Sequence, residues 1–278
     1  MIVSHCTTST PRVPDGLQLD LPCRLGDHVA MIILPGLTST KKERIPAFIK
    51  DLRDSDVRAI ALFPTLLAMD ERKALYKELE TIAGLRIPHV HIRSDFVEAE
   101  LDYLAGRFGT EAFNIHPRSS THPFGPLPSR FAAKIFVENV DVPADDAELA
   151  GSGTGGPAPG GICPDFSHLE NNRLHGRTSY VDAVMSQLGR FKVGCCHVSA
   201  VRVGVPNHWA GEWDHHEYSS LDDLAYLSAY KKYLPDTWVS LELENDFAQQ
   251  MEARAWLESL LAQTPGATLS PSSLPIGR

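Results

Sequence analysis

Val57-Arg58-Ala59-Ile60-Ala61-Leu62-Phe63 and Pro88-His89-Val90-His91-Ile92 are short runs of apolar and β-branched residues. The charged stretch between them, 70–83, spaces its apolar residues with helical period. A strand, a helix and a second strand in that order pair the two strands in parallel through a right-handed crossover. Working outward, the same kind of run recurs at 29–34, 112–116, 133–140, 161–165, 192–198 and 238–243, which makes eight in all. Eight parallel repeats are the number that closes a barrel, so the expected fold is an α/β chain forming a (β/α)8 TIM barrel.

The intervening helices read most clearly at 41–54, 70–83, 95–108, 179–190, 221–233 and 248–261. Ser39 and Thr40 precede the first, and Glu43 follows Thr40 at capping-box spacing. Two crossovers break the pattern: 118–130 is rich in Pro and Ser, and 142–160 holds only a short helical candidate at 144–149. The fourth and fifth helices are therefore expected to be short or missing. Gly151-Ser152-Gly153-Thr154-Gly155-Gly156, followed by Pro157-Ala158-Pro159-Gly160, offers little to pack and reads as a mobile segment, either a lid or a loose loop. Residues 1–28 read as a cap over the amino end of the barrel and 264–278 as a frayed tail, all within one domain spanning 1–278.

A length of 278 residues suits this, because such barrels occupy about 250 residues as one unit. With 43% hydrophobic and 22% charged residues, the chain can fill a large core and has no disordered composition. No apolar run approaches the roughly 20 residues a membrane helix needs, and Met1-Ile2-Val3-Ser4-His5 does not begin like a secretory signal. A cytoplasmic protein with no membrane partner is expected. The five cysteines, at 6, 23, 163, 195 and 196, are odd in number and three lie in apolar runs, which argues against a disulfide framework. A net charge of -9 gives no basic footprint for nucleic acid, although a local basic rim could still bind phosphate.

Alternate side chains of a strand share a face, so the carboxyl ends of the strands can be compared. Strand three ends in His89-Val90-His91, strand four in Asn114-Ile115-His116 and strand five in Val137-Glu138-Asn139. Strand six supplies Cys163-Pro164-Asp165-Phe166-Ser167-His168, strand seven Cys195-Cys196-His197 and strand eight Ser240-Leu241-Glu242-Leu243-Glu244. Six consecutive strands thus bring an imidazole or a carboxylate to one rim. A single His or Glu there is ordinarily structural or solvated. Several carboxylates in one barrel mouth repel one another, and a divalent cation among His and Asp/Glu neutralises them most directly. Nitrogen and oxygen donors without paired thiolates suit Mn, Zn, Co or Fe, one or more ions per chain.

Glu138-Asn139, the Asp165-Phe166-Ser167-His168 spacing, His197 and Val239-Ser240-Leu241-Glu242 resemble the metal-binding pattern of the xylose isomerase-like barrel superfamily, over most of 29–261. That group includes sugar and sugar-phosphate isomerases and epimerases as well as endonuclease IV. The isomerase branch implies Glu138, Asp165, His197 and Glu242 as ligands of one ion. It places His168 and Arg202 on substrate oxygens and uses Glu138 and Glu242 as catalytic bases on either side of an enediolate. Its substrate would be a small sugar-like carbonyl compound, and a metal-dependent isomerase or epimerase of this kind is the expected function, with the phosphodiesterase as the alternative.

The endonuclease IV branch implies a multi-metal phosphodiesterase. His91 and His116 fall where it has further histidines, His168 becomes a ligand, and Asp214-His215-His216-Glu217 resembles its Asp-any-His-Glu segment. Within the isomerase reading His91 and His116 are substrate contacts, and Asp214, His216 and Glu244 are additional metal candidates. Val140-Asp141-Val142-Pro143, Arg118 after His116-Pro117, and the acidic surface depart from the nuclease pattern. Gly211-Glu212-Trp213-Asp214 departs from the isomerase pattern. A barrel that has lost catalysis is a third reading. Glu242 and Glu244 point the same way in an ideal strand and are not separated by alternation. His89, one pleat below His91, reads as a hydrogen-bonded interior residue, Arg93 and Arg118 as solvated, and Trp209 and Trp213 as loop aromatics that stack on a sugar or pack on the barrel. Such barrels commonly form homo-oligomers, but no interface stripe is legible.

Overall fold

The computed structural model describes residues 31–120, 127–140, 142–152, 156–208 and 211–262. The cap expected at 1–28, the tail expected at 264–278, the centre of the Gly-rich segment at 153–155, and Trp209 lie outside these. Eleven strands appear among the described residues. They are β1 (Ile32–Leu34), β2 (Gly36–Thr38), β3 (Ala59–Phe63), β4 (Arg86–His91), β5 (Ala112–Ile115), β6 (Ile135–Glu138), β7 (Gly161–Cys163), β8 (Cys195–Val198), β9 (Ala200–Val201), β10 (Asp214–His215) and β11 (Trp238–Leu241). β2 to β7 form a six-stranded parallel sheet in sequence order, and β1, β11 and β8 form a second parallel sheet with β11 central.

The two sheets are linked in two places. The chain leaves β1 and enters β2 through Pro35, whose carbonyl accepts from Ala61 N at 2.9 Å, so one extended run serves both sheets. Past the end of the six-stranded sheet, Ile162 pairs with Val193 and Asp165 with His197, both in parallel, and His197 N donates to Pro164 O at 3.0 Å. At the break after Pro35 the buried amide of Gln250 accepts from Gly36 N at 2.8 Å and donates to Gly36 O at 3.0 Å, so the interrupted strand keeps its backbone satisfied.

The described residues also hold seven α-helices: α1 (Ile45–Asp54), α2 (Met69–Leu79), α3 (Glu98–Phe108), α4 (Asp146–Leu149), α5 (Phe166–Leu174), α6 (Thr178–Leu188) and α7 (Phe247–Ala262). The strands are buried on both faces, which is why they read as near-continuous apolar runs. Ile60, Leu62, Val90, Phe113, Ile115, Val137 and Val239 join the helices in the main core, and each such side chain taken from water contributes roughly 1.5–3 kcal/mol. Leu34, Ala61 and Phe63 form one smaller cluster, and Ala112, Phe136, Cys163 and Cys195 another.

Local chemistry sets the helix ends. Pro46 occupies the first turn of α1, where its missing N–H costs nothing. α3 stops at Gly109, whose φ of 67° is left-handed. The capping box expected at Thr40 and Glu43 does not form. Ser39 Oγ instead donates to Phe63 O at 2.9 Å and accepts from Leu66 N at 2.9 Å, which ties a loop to β3. Two crossovers are eroded as expected: among the described residues between β5 and β6 only a 3-10 turn at Ala132–Lys134 appears, and α4 has four residues. The stretch 221–233 is helical, but as 3-10 turns rather than the expected α-helix. The hairpin of β9 with β10, antiparallel through Val201 and Asp214, had no legible signal in the sequence.

The Phe136 ring fills the space a Cβ on Gly194 would need. Gly194→Ala is therefore expected to overpack the interior and to destabilise by about 1–3 kcal/mol, read as a lower denaturant midpoint with an unchanged m-value. A midpoint equal to that of the parent would mean that Phe136 moves aside freely.

Candidate metal centre

Six strands build the site, each through two alternate residues at or just beyond its carboxyl end. The deeper positions carry His89, Asn114, Phe136, Cys163, Cys195 and Ser240. Two residues further along come His91, His116, Glu138, Asp165, His197 and Glu242. The ends of β4, β5, β6, β7, β8 and β11 thus bring together six donors that are distant in sequence. Glu138 Oε2 lies 3.6 Å from His91 Nε2 and 3.5 Å from His197 Nδ1, and Glu242 Oε2 lies 3.3 Å from the same His197 Nδ1. The rings of His91 and His116 are 4.8 Å apart, centroid to centroid.

Asp165 has two tasks. It caps α5 with Oδ1, which accepts from Ser167 N at 2.8 Å and from His168 N at 3.0 Å, while Oδ2 lies 3.7 Å from His168 Nε2. The sequence expectation ended this strand at Asp165 and placed no helix directly after it. In the structure α5 begins at Phe166, because an Asp one residue before a helix satisfies its first N–H groups. Asn139 fixes Asp165 from the other side, accepting its N–H at 2.9 Å and donating to its carbonyl at 3.0 Å. His168 Nδ1 in turn lies 2.8 Å from Asp214 Oδ2.

Glu242 and Glu244 part company after β11 ends at Leu241. Glu242 faces His197, whereas Glu244 turns outward to Lys41 Nζ at 3.0 Å, which also holds Glu217 at 2.8 Å. Against burial, His168 holds the Asp214 carboxyl below its ordinary range with a smaller contribution from His216, and His197 and His216 draw Glu242 down to about 2. Arg202 is elsewhere, in a second cleft with Arg44, Glu217 and Asn245. Arg93 pairs with Asp95, and Trp213 packs on His175 with ring centres 4.4 Å apart. His89 is the hydrogen-bonded interior residue expected of it, with Ser240 Oγ at 2.7 Å and Asn114 Oδ1 at 3.0 Å. Asn114, Asn139 and Ser167 stand within the quoted segments, but sequence reading gave them no role. The pleat that places Asn114 two residues before His116 was the available signal.

These donors fall into overlapping groups whose ligand atoms lie within 4.8 Å of one another: His91, His116 and Glu138; His91, His197 and Glu242; and Glu138, Asp165 and His168. Glu138 belongs to two groups and so does His91. The four residues expected to share one ion are divided between groups, since Asp165 falls with Glu138 and His168 while His197 and Glu242 fall with His91. A fourth group, His89, Cys163 and Cys195, lies deeper. Both ring nitrogens of His89 also lie within hydrogen-bond distance of Ser240 and Asn114, while Cys163 and His89, against burial, draw the Cys195 thiol down to about 5.

Two observations show that the upper donors suit a divalent cation. First, His91 Nδ1, His216 Nδ1 and both ring nitrogens of His197 are buried and make no hydrogen bond among the described residues, a cost that coordination through one nitrogen of a ring would lower. Second, the local electrostatics favour positive charge. Burial opposes charging His197, but Glu138 and Glu242 outweigh it and push its pKa well up. Burial likewise opposes charge on His168, and Asp165 and Asp214 raise it to about 10. Glu138 is held well below the usual carboxylate range, against burial, by His197 and His91, while burial pushes His91 down to about 3. A divalent ion held there would supply that positive charge and leave the imidazoles neutral and able to ligate.

A cleft of about 490 Å³, lined by His168, Asp214, Arg177, Tyr180 and Glu212 among others, reaches the cluster through His168 and Asp214. No protein-family model matches the chain, and no curated protein matches it.

Proposed function

We propose that the two sheets close into one eight-stranded parallel barrel whose carboxyl end holds at least two divalent metal ions, and that the chain is a metal-dependent phosphoesterase acting on a small phosphate ester. Support for closure comes from the shared run through Pro35 and from the pairing of Ile162 with Val193 and Asp165 with His197. The observation that carries the functional reading is the membership of Glu138 in two donor groups, because a carboxylate has two oxygens and can serve neighbouring ions. The same donors carry the resemblance to endonuclease IV.

His91, His116 and Glu138 would hold one ion, Glu138, Asp165 and His168 a second, and His197 and Glu242 would complete the shared set. Bound there, such ions supply positive charge for phosphoryl oxygens and acidity for an attacking water. The chain's own residues prepare the site. Asn139 and the N-terminus of α5 fix Asp165, Asp214 orients the ring of His168, and Asn114 Nδ2 fixes Glu138 through a 2.6 Å hydrogen bond to Oε2. Phe63, edge-on to His197 with centroids 5.0 Å apart, excludes water from the deep side. Substrate approaches on the open side, from the cleft. A net charge of -9 favours a small ester over a long polyanion.

One observation favours a second reading, a sugar isomerase or epimerase with a single ion: Glu138 and Glu242 lie against the same nitrogen of His197, as two bases flanking one centre would. Two assays on protein loaded with Zn, Mn, Co or Fe decide between them. We expect release of p-nitrophenolate from bis(p-nitrophenyl) phosphate, absent after Glu138→Gln. Deuterium uptake from D2O into a ketose or aldose without ester hydrolysis would replace the first reading by the second. Neither activity across a broad panel would favour a barrel without catalysis.

A further inference from the structure

Beneath the donor cluster, a chain of hydrogen bonds crosses the interior from β11 to β6. Ser240 Oγ lies 2.7 Å from His89 Nδ1, His89 Nε2 lies 3.0 Å from Asn114 Oδ1, and Asn114 Nδ2 lies 2.6 Å from Glu138 Oε2. Ser240, His89 and Asn114 are fully buried. With His89 neutral, only one assignment of hydrogens satisfies every link. A carboxylate accepts, so Asn114 turns its amide NH2 toward Glu138 and its carbonyl toward His89. His89 must then carry its proton on Nε2, and its bare Nδ1 accepts from the Ser240 hydroxyl. All three donors point the same way, toward Glu138, and each bond polarises the next.

We propose that His89 is a positioning residue for the metal centre. Locked as the Nε2–H tautomer by Ser240, it prevents the Asn114 amide from rotating and so fixes the carboxylate plane of Glu138, the donor common to two ion sites. A core position in a barrel is ordinarily filled by an aliphatic side chain, which costs no desolvation. An imidazole with both nitrogens satisfied is the costlier choice, and here it terminates in the one carboxylate that the proposed centre shares. This inference rests on the metal-centre reading above. It adds that the second ion depends on a residue that touches neither ion.

The test is Co2+ titration of the full-length protein, followed by visible absorption and by ion count per chain, with thermal melting of each metal-free variant as a control for folding. His89→Leu keeps the volume and breaks the chain. We expect its Co2+ affinity to fall roughly 10- to 100-fold, the range seen when a hydrogen-bond partner of a ligand is removed, with altered d–d bands. His89→Gln can donate to Asn114 and accept from Ser240, and should restore most of the affinity and spectrum. Ser240→Ala, the mildest change, should shift the spectrum in the direction of His89→Leu even if His89→Leu does not fold. Wild-type affinity and spectrum in His89→Leu, or in Ser240→Ala where His89→Leu is unfolded, would overturn the positioning role and leave the centre standing. A wild-type protein that binds no Co2+ would overturn the centre and the positioning role together.

Discussion

Glu138→Gln is expected to abolish binding of the second ion and to weaken the first by at least roughly 100-fold, since even removing an outer partner of a ligand costs about 10- to 100-fold. Gln keeps the size of Glu and still accepts from Asn114 Nδ2, so the interior has no new cavity and the variant should fold. What it lacks is the charge that lies between His91 Nε2 and His197 Nδ1, at 3.6 and 3.5 Å. Removing that charge takes a ligand from both groups to which Glu138 belongs. The measurement is isothermal titration with Zn2+ beside a circular-dichroism melt. Unchanged stoichiometry and affinity in a folded variant would remove Glu138 from any metal role.

Arg72→Ala is the second large effect, and it tests the scaffold instead of the site. Arg72 is fully buried, with Nε and Nη2 bonded to the two oxygens of Glu100 at 2.7 and 2.9 Å and Nη1 bonded to Asp95 and to Leu67 O. Its guanidinium also sits 3.9 Å from the centre of the Phe96 ring. Truncation leaves Glu100, itself buried, with only Tyr76 OH at 2.8 Å, and an uncompensated buried charge of this kind costs about 3–5 kcal/mol. The exposed pair Lys42–Glu71 is the contrast, because solvent screens it and its loss is expected to move the midpoint little. Urea unfolding of Arg72→Ala against Lys42→Ala reads the difference directly, and equal midpoints would contradict the account.

Acid probes the same network. Burial pushes the Asp95 carboxyl up, but Arg93 and Arg72 outweigh it and hold its pKa below the ordinary value. A carboxyl depressed on folding stabilises fully above its unfolded pKa, about 3.9, and that contribution disappears as pH falls through the lower folded value. Stability attributable to Asp95 should therefore be constant above about pH 5 and decline below about pH 4. Asp95→Asn should flatten that part of the profile.

The repeat of strand, helix and parallel strand was visible because buried parallel strands are apolar on both faces, as in Ala59–Phe63. The meeting of His91, His116, Glu138, Asp165, His197 and Glu242 followed from alternation alone, which survives small errors in strand ends. Alternation could not separate Glu242 from Glu244. The strand stops at Leu241, and the ion pair of Glu244 with Lys41, more than 200 residues away in sequence, then decides where each carboxylate goes. α5 escaped notice because Asp165 serves as a cap and a site carboxylate at once, and the second role masked the first. Arg202 was expected beside His168, yet the two line different clefts, since the turn after β9 carries Arg202 toward Arg44 and Glu217. The interior chain through His89 was half legible: its burial followed from the pleat, but its partners depended on strand stagger, which the sequence does not encode locally.

The most direct test of the central claim is the number of metal ions per folded chain, counted by native mass spectrometry after reconstitution with Zn2+ and removal of excess. Two or three ions per wild-type chain, falling to one or none in Glu138→Gln, is the expected result. A wild-type chain that carries a single ion, or none, would contradict the shared-carboxylate centre.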